Sequence, residues 1–208
     1  VVALQFASVD NTAPDDVIKE PDRTVTFVFE VYNSGNGPDI FNIPGNSSRE
    51  WDFVMNKTQT RELDRFENDT VTVVISVPYG TPVGVVDTFT LTSISLFNST
   101  ITDSATADIT VKEGHGSRID PVSVSGIGYL YPGEKATITC KLINRGNVED
   151  NITVDDLVLP QDWTGTFDQN SSITNTLPAG TSELFNLMLT PSADYDNSRE
   201  AIYSISMS

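Results

Sequence analysis

Cysteine and histidine are almost missing from this 208-residue chain: each occurs once, as Cys140 and His115. One cysteine excludes an internal disulfide and any cysteine-built metal centre. One histidine leaves Ser-His-Asp and Cys-His chemistry without a base unless His115 supplies it. His115 stands between Gly114 and Gly116, away from any predicted pocket. Long apolar runs are missing as well, and nothing approaches the roughly 18 residues of a membrane helix. Basic residues are scarce, with 12 Lys and Arg against 29 Asp and Glu and a net charge of −17. Such a field repels phosphate backbones and excludes nucleic acid as a partner.

The acidity is spread along the chain. Residues 1–114 carry 7 basic and 17 acidic side chains, and the remainder carries 5 and 12. It is therefore a solvated surface property and not a tail. Paired carboxylates could in principle cleave a glycosidic bond. No pair is singled out by the sequence, and the chain is expected not to be an enzyme. It begins at Val1 with no basic stretch ahead of an apolar one, and is read as a mature or excised form from which any signal peptide is gone.

What the chain does contain is an internal repeat. Asn33-Ser-Gly-Asn36 matches Asn144-Arg-Gly-Asn147, and Pro21 matches Pro132, both 111 positions apart. Trp51 matches Trp163 at 112. The stretch Thr70–Pro78 pairs with Ser182–Pro191, and Asp87–Ser95 with Glu200–Met207. In the first copy Val25, Phe27, Phe29 and Val31 alternate with Thr24, Thr26, Val28 and Glu30; in the second, Ala136, Ile138, Cys140 and Leu142 alternate with Thr137, Thr139 and Lys141. Period-two alternation rich in β-branched and aromatic residues predicts half-buried strands. Strand signals separated by Gly, Pro, Asn and Asp at about ten-residue spacing predict a sandwich. No segment sustains a 3.6 period. The fold class is thus all-β, with two tandem immunoglobulin-like sandwiches over 1–113 and 114–208, joined by a short linker, Lys112–Arg118, that limits their freedom.

Strands are expected near 2–9, 24–33, 38–43, 50–55, 70–78, 87–96 and 105–111, then near 121–125, 136–144, 150–159, 163–167, 183–190 and 200–207. Cys140 falls on the apolar face at the position of Phe29 and should be an inert core thiol. The Asn-x-Gly-Asn turn suits positive φ at Gly35 and Gly146. Trp51 and Trp163, at equivalent positions, should share a core role. Tyr129 and Tyr131, in a glycine-rich turn, should cap the end of a sandwich; stacking on sugar is the functional alternative for all four aromatics.

A strand ending in Val-Tyr-Asn-Ser-Gly-Asn36 or Leu-Ile-Asn-Arg-Gly-Asn147, an acidic residue, a third strand, and then Trp51 to Pro78 or Trp163 to Pro191 resemble the CARDB-like domains. These are immunoglobulin-like modules repeated in archaeal and bacterial surface proteins. The resemblance covers nearly the whole chain, twice. It implies an extracellular, cell-surface location, and fits spacers, adhesins and polymer subunits alike. Acidity, absent disulfides and richness in Asn and Thr point to an archaeal surface.

Six Asn-x-Ser/Thr sequons are present, at Asn46, Asn56, Asn68, Asn98, Asn151 and Asn170. With 15 Asn and 44 Ser plus Thr, chance gives about 3. Asn46, Asn68, Asn98 and Asn170 are predicted at turns, where a glycan fits. N-linked glycans are expected on several; no cofactor is expected, and no metal site is assigned. The acidic turns at Asp10-Asn11, Asp15-Asp16 and Asp155-Asp156 are the places calcium would choose.

The repeats end differently. Ser104–Val111 closes the first copy and has no counterpart after Met207. A sandwich without its final strand has an open edge that accepts a strand from another chain. The expected role is a glycosylated filament, pilus or surface-layer subunit whose partners are identical subunits, resembling archaeal thread pili. The candidate donor is Val1–Val9, whose Val2, Leu4 and Phe6 alternate with smaller residues; it also reads as the first strand of its own domain, equivalent to Pro121–Ser125. The competing readings are an adhesion or carbohydrate-binding module, and a spacer fragment of a larger surface protein.

Overall fold

A computed structural model describes residues 4–125, 133–159, 163–168, 172–191 and 204–207. Every regular element in it is a strand. The chain divides into two compact units, Val1–Lys112 and Glu113–Ser208.

The first unit contains β1 (Val9–Thr12), β2 (Val17–Lys19), β3 (Arg23–Asn33), β4 (Phe41–Asn42), β5 (Gly45–Ser47), β6 (Phe53–Met55), β7 (Asn68–Val77), β8 (Val86–Ser95) and β9 (Thr102–Val111). One sheet has the order β1-β3-β7-β6 and the other β2-β9-β8-β4, with β5 also on β8. This is an immunoglobulin-like sandwich: the first strand pairs antiparallel with β3, leaves at Pro14, and continues as β2 alongside β9 in the opposite sheet, parallel to it. The alternation of β3 sets the core. Val25, Phe27, Phe29, Val31 and Asn33 are buried and the intervening residues face out. Phe29 packs against Phe27 and Phe89 at centroid distances of 6.2 and 5.9 Å. The stretch read as a strand over 38–43 is shorter, with only Phe41–Asn42 in β4; after Pro44 the chain returns to β8 as β5, where Gly45 lies so close to Phe89 that an added Cβ would stand 2.6 Å from its ring.

The second unit contains β10 (Ser117–Ser125), β11 (Ala136–Asn144), β12 (Asp150–Val158), β13 (Trp163–Phe167), β14 (Ile173–Leu177), β15 (Ser182–Pro191) and β16 (Ser204–Met207). Its sheets are β10-β11-β15-β13 and β14-β12-β16. Ile138, Cys140, Leu142, Phe167, Phe185 and Leu187 fill its core. Cys140 is buried, and burial pushes its thiol pKa up, as an inert core position requires.

Superposing registers refines the repeat. Strand β11 follows β3 at 111, but β15 follows β7 at 114, because Phe27 faces Val73 where Ile138 faces Leu187. Val77, and not Pro78, is therefore the counterpart of Pro191. The first strands follow at 108: Val9 faces Asn33 as Ser117 faces Asn144. The equivalent of β1 is thus Ser117–Asp120, and the alignment of Val1–Val9 with Pro121–Ser125 does not hold. Strand β14, unforeseen from its Thr-Asn-Thr sequence, pairs with β12.

Candidate functional site: two asparagine corners and an open strand edge

Both repeats place a fully buried asparagine at the end of the strand that precedes the Gly. Asn33 Nδ2 donates to the carbonyls of Leu63 at 2.8 Å and Gly37 at 2.9 Å, and its Oδ1 accepts from Gly35 N–H at 3.0 Å. Asn144 repeats this with Leu177, Val148 and Gly146 at 2.8, 2.9 and 2.9 Å. One side chain thereby satisfies three backbone groups that the turn would otherwise bury unpaired.

The second asparagine of each motif holds the segment arriving from upstream. Asn36 Oδ1 accepts from Phe6 N–H at 2.8 Å, its Nδ2 donates to the Leu4 carbonyl at 2.7 Å, and its own N–H donates to the Phe6 carbonyl at 3.2 Å. Asn147 Oδ1 likewise accepts from Gly114 N–H at 2.9 Å, and its N–H donates to the Gly114 carbonyl at 3.1 Å. The glycines are required for this contact and not for positive φ, which neither Gly35 nor Gly146 adopts. A Cβ on Gly35 would lie 2.8 Å from the Phe6 carbonyl oxygen, and one on Gly146 2.5 Å from that of Gly114. Only glycine lets the incoming backbone approach so closely.

Two sequence expectations change accordingly. Residues 114–118, read as part of a short linker, belong to the second unit: Gly114 and Gly116 are bonded to the Asn144–Asn147 corner, and Ser117 and Arg118 are already in β10. Leu4–Ser8 are likewise bound to the first unit, through Asn36 and through Ser34 Oγ donating to Ser8 Oγ at 2.9 Å. A donor strand spanning Val1–Val9 would have to break those bonds and leave β1. His115 is paired with Asp150, Nδ1 to Oδ2 at 2.9 Å, and lies 3.6 Å from Glu113; the hydrogen bond with Asp150 above all raises its pKa.

The final described strand, β16, pairs antiparallel with β12 from Val154–Met207 to Val158–Ser204. In the first unit β8 has a partner on each edge, β4 and β9. Among the described residues β16 has none beyond β12, and β9 has no counterpart. The long β10 shows the same asymmetry: it stays on β11 as far as Ser125, where β1 leaves β3 after Thr12.

The remaining candidates separate. Trp51 is buried and has no face open to a sugar, whereas Trp163 is partly buried and packs against the second core. Tyr129 and Tyr131 lie outside the described residues, as does Asn170. Asn46 lies within β5 and Asn68 opens β7, so neither is in a turn, though both are exposed. Asn98 is in the turn after β8, and its Oδ1 accepts from the Thr100 hydroxyl at 2.8 Å, the contact a sequon uses. Ser48 Oγ, the corresponding hydroxyl for Asn46, donates to Asp87 at 3.0 Å. Asn56 and Asn151 are exposed, with side-chain oxygens accepting from Thr72 N–H at 3.0 Å and from the Thr176 hydroxyl. Of the acidic turns, Asn11 is bonded to Asp103 and Ser93, and Asp16 accepts from Asp108 N–H. Among the described residues no three His, Cys, Asp or Glu side chains converge on a point. An open depression of about 340 Å³ on β13 and β15 is lined by Lys135, Thr164, Gly165, Thr166, Met188 and Thr190, without a carboxylate, His or Cys. No described helix is long and apolar enough to cross a membrane.

The class these features define is an all-β protein of two immunoglobulin-like sandwiches. No family model and no curated protein matches the chain. Solved structures similar to it include the secreted serine protease VesC of Vibrio cholerae, at 13% identity and a TM-score of 0.40, over 97% of this chain and 51% of that one. The chain thus spans about half the length of VesC. The SrpA adhesin of Streptococcus sanguinis aligns at 14% identity and a TM-score of 0.39, over 62% of this chain and 68% of that one. The E. coli chaperone DraB aligns at 12% and 0.37, over 86% of each.

Proposed function

We propose that this chain is a non-catalytic structural protein of a prokaryotic, specifically archaeal, cell surface, built of CARDB-like repeats, glycosylated, and joined to identical subunits by strand donation. The observation that carries the reading is that, among the described residues, no strand lies on the outer edge of β16, whereas in the first domain β9 fills the same place. Unpaired edge groups beside apolar core are a template for an added strand. The donor is drawn from residues ahead of Leu4, from residues after Ser208, or from another protein, because Leu4–Thr12 are committed to their own domain.

The test is amide hydrogen exchange on native material, with electron microscopy of the same sample. Strand donation requires β16 amides that are protected in the assembled protein and exchange freely in the dissociated subunit. Equal, rapid exchange in both states would leave a spacer. Deleting residues 1–3 isolates the upstream donor without touching the Asn36 corner. Glycosylation is read by peptide mapping: at least two sequons should carry sugar, Asn98 first, and six bare sequons would remove the archaeal-surface argument's main support.

A further inference from the structure

The chain holds one Asn-Gly pair, Asn36-Gly37, and it lies in the first asparagine corner. In such a pair the asparagine side chain is open to attack by the backbone that follows it. Glycine has no Cβ to keep its nitrogen from the Cγ of the residue before. The counterpart in the second repeat is Asn147-Val148, where a stiff β-branched side chain crowds that approach. Asn147 is also buried, whereas Asn36 is only partly so. The two corners share a hydrogen-bond scheme and differ in chemical durability.

Durability matters because of what Asn36 holds. Its side chain donates to the Leu4 carbonyl at 2.7 Å and accepts from Phe6 N–H at 2.8 Å. Gln5 Nε2 adds a bond to the Pro38 carbonyl at 2.9 Å, and Ser34 Oγ one to Ser8 Oγ at 2.9 Å. Apolar burial contributes little to seating Leu4–Ser8, for Leu4 is 90% exposed and Phe6 58%. A segment held by surface hydrogen bonds and not by core opens locally at low cost. While it is seated, the Asn36 amide is pinned through both its oxygen and its nitrogen. Gln5 then covers the glycine: a Cβ built on Gly37 would stand 2.8 Å from Gln5 Cδ.

We propose that Asn36-Gly37 is a self-modification site whose reaction releases Leu4–Ser8 for good. The Gly37 nitrogen bonds to Asn36 Cγ and gives up its proton, and Nδ2 leaves as ammonia, which closes a five-membered succinimide. Water then opens the ring at either carbonyl and leaves aspartate or isoaspartate. Ring closure expels the nitrogen that holds Leu4, so the pinned amide resists it and the opened one does not. Either product puts an oxygen where Nδ2 donated, and the Leu4 carbonyl is left facing an acceptor that carries negative charge. Isoaspartate also lengthens the main chain by a carbon inside the corner. Opening thus speeds the reaction, and the reaction keeps the segment open. The corner is a clasp that records the time its segment has spent unseated. The inference goes beyond strand donation and does not depend on it, since neither β16 nor a partner enters the chemistry.

The test is peptide mapping of the full chain held in mildly alkaline buffer and sampled over time, alongside the same chain in denaturant. Asn36 should gain about one dalton and a negative charge, as aspartate and isoaspartate, while Asn147 stays intact. The folded chain should convert more slowly than the denatured one. Gln5→Ala uncovers Gly37 and loosens the segment without touching a reacting atom, and should speed conversion in the folded chain about fivefold. Asn36→Asp supplies the product outright. Amide exchange at Phe6 and at position 36 should then run about tenfold faster than in wild type, while the melting transition of the core stays where it was. A folded chain whose Asn36 stays intact while the denatured chain converts overturns the proposal. So do an Asn36→Asp variant as protected at Phe6 as wild type, and a conversion rate that Gln5→Ala leaves unchanged.

Discussion

The two domains solve one design differently at three places. At the core position shared by Phe29 and Cys140, the first domain fills space with a ring and the second with a sulfur. At the turn shared by Phe66 and Gly180, the first accepts backbone strain that the second avoids. Beside β8 the first supplies β9, whereas beside β16 the described residues of the second supply no strand. What they keep in common is the asparagine corner, down to hydrogen-bond lengths within about 0.1 Å of each other. A repeat holds on to what seats the chain and varies what fills or covers it.

The largest effect that would break this comparison is in the core. Phe29→Ala should cost about 3–5 kcal/mol in the first domain, whereas Cys140→Ala, which removes one sulfur, should cost a fraction of that. Two resolved transitions in chemical denaturation would assign each loss to its domain. A solvent-like response at Phe29 would overturn the register of β3.

The corners come next. Asn33→Ala and Asn144→Ala each strand buried carbonyls and an amide N–H, at about 1–3 kcal/mol per unsatisfied group. The two variants should destabilise their own domains equally, and calorimetry showing only one affected would end the claim of equivalence. The turn follows. Gly180→Ala should cost about 1 kcal/mol, and Phe66→Gly should leave the first domain's stability nearly unchanged, because relief of strain is offset by a looser unfolded chain.

The smallest effect is electrostatic and confined to the second domain. The hydrogen bond to Asp150 raises the His115 pKa above its ordinary 6.5. A raised folded value means stabilisation that is complete below 6.5 and is lost as pH rises through the folded value. Melting curves between pH 5 and 9 should show a slight loss of stability that Asp150→Asn abolishes; the first domain has Ala7 where His115 stands and should show none.

Much of this was legible in the sequence, and the exceptions have physical causes. Strands β3, β7, β8, β9, β11 and β15 announce themselves because alternate residues face a core. β2 does not, because three residues, Val17–Lys19, take their identity from a parallel neighbour 92 positions away. Leu4 and Phe6 alternate as a strand would, yet are held by Asn36 with their side chains in solvent, since period alone does not say which face is covered. The Asn-x-Gly-Asn motif was visible, but its purpose was not. A glycine needed for close approach looks the same in sequence as one needed for positive φ, and only the Phe6 and Gly114 carbonyls distinguish them.

The parallel pairing of β2 with β9 has a mechanical consequence. Val17–Lys19 and Ile109–Val111 lie towards opposite ends of the domain's chain and run in the same direction. Tension applied through the two termini draws these strands past each other along their length, so their hydrogen bonds bear load together and not one at a time. Forced unfolding follows the unfolding barrier and not equilibrium stability, and such a patch raises that barrier. The described strands of the second domain contain no such pair. Pulled from its ends, the chain should yield there first, until a strand laid beside β16 and parallel to a neighbour gives the second domain the same resistance to shear.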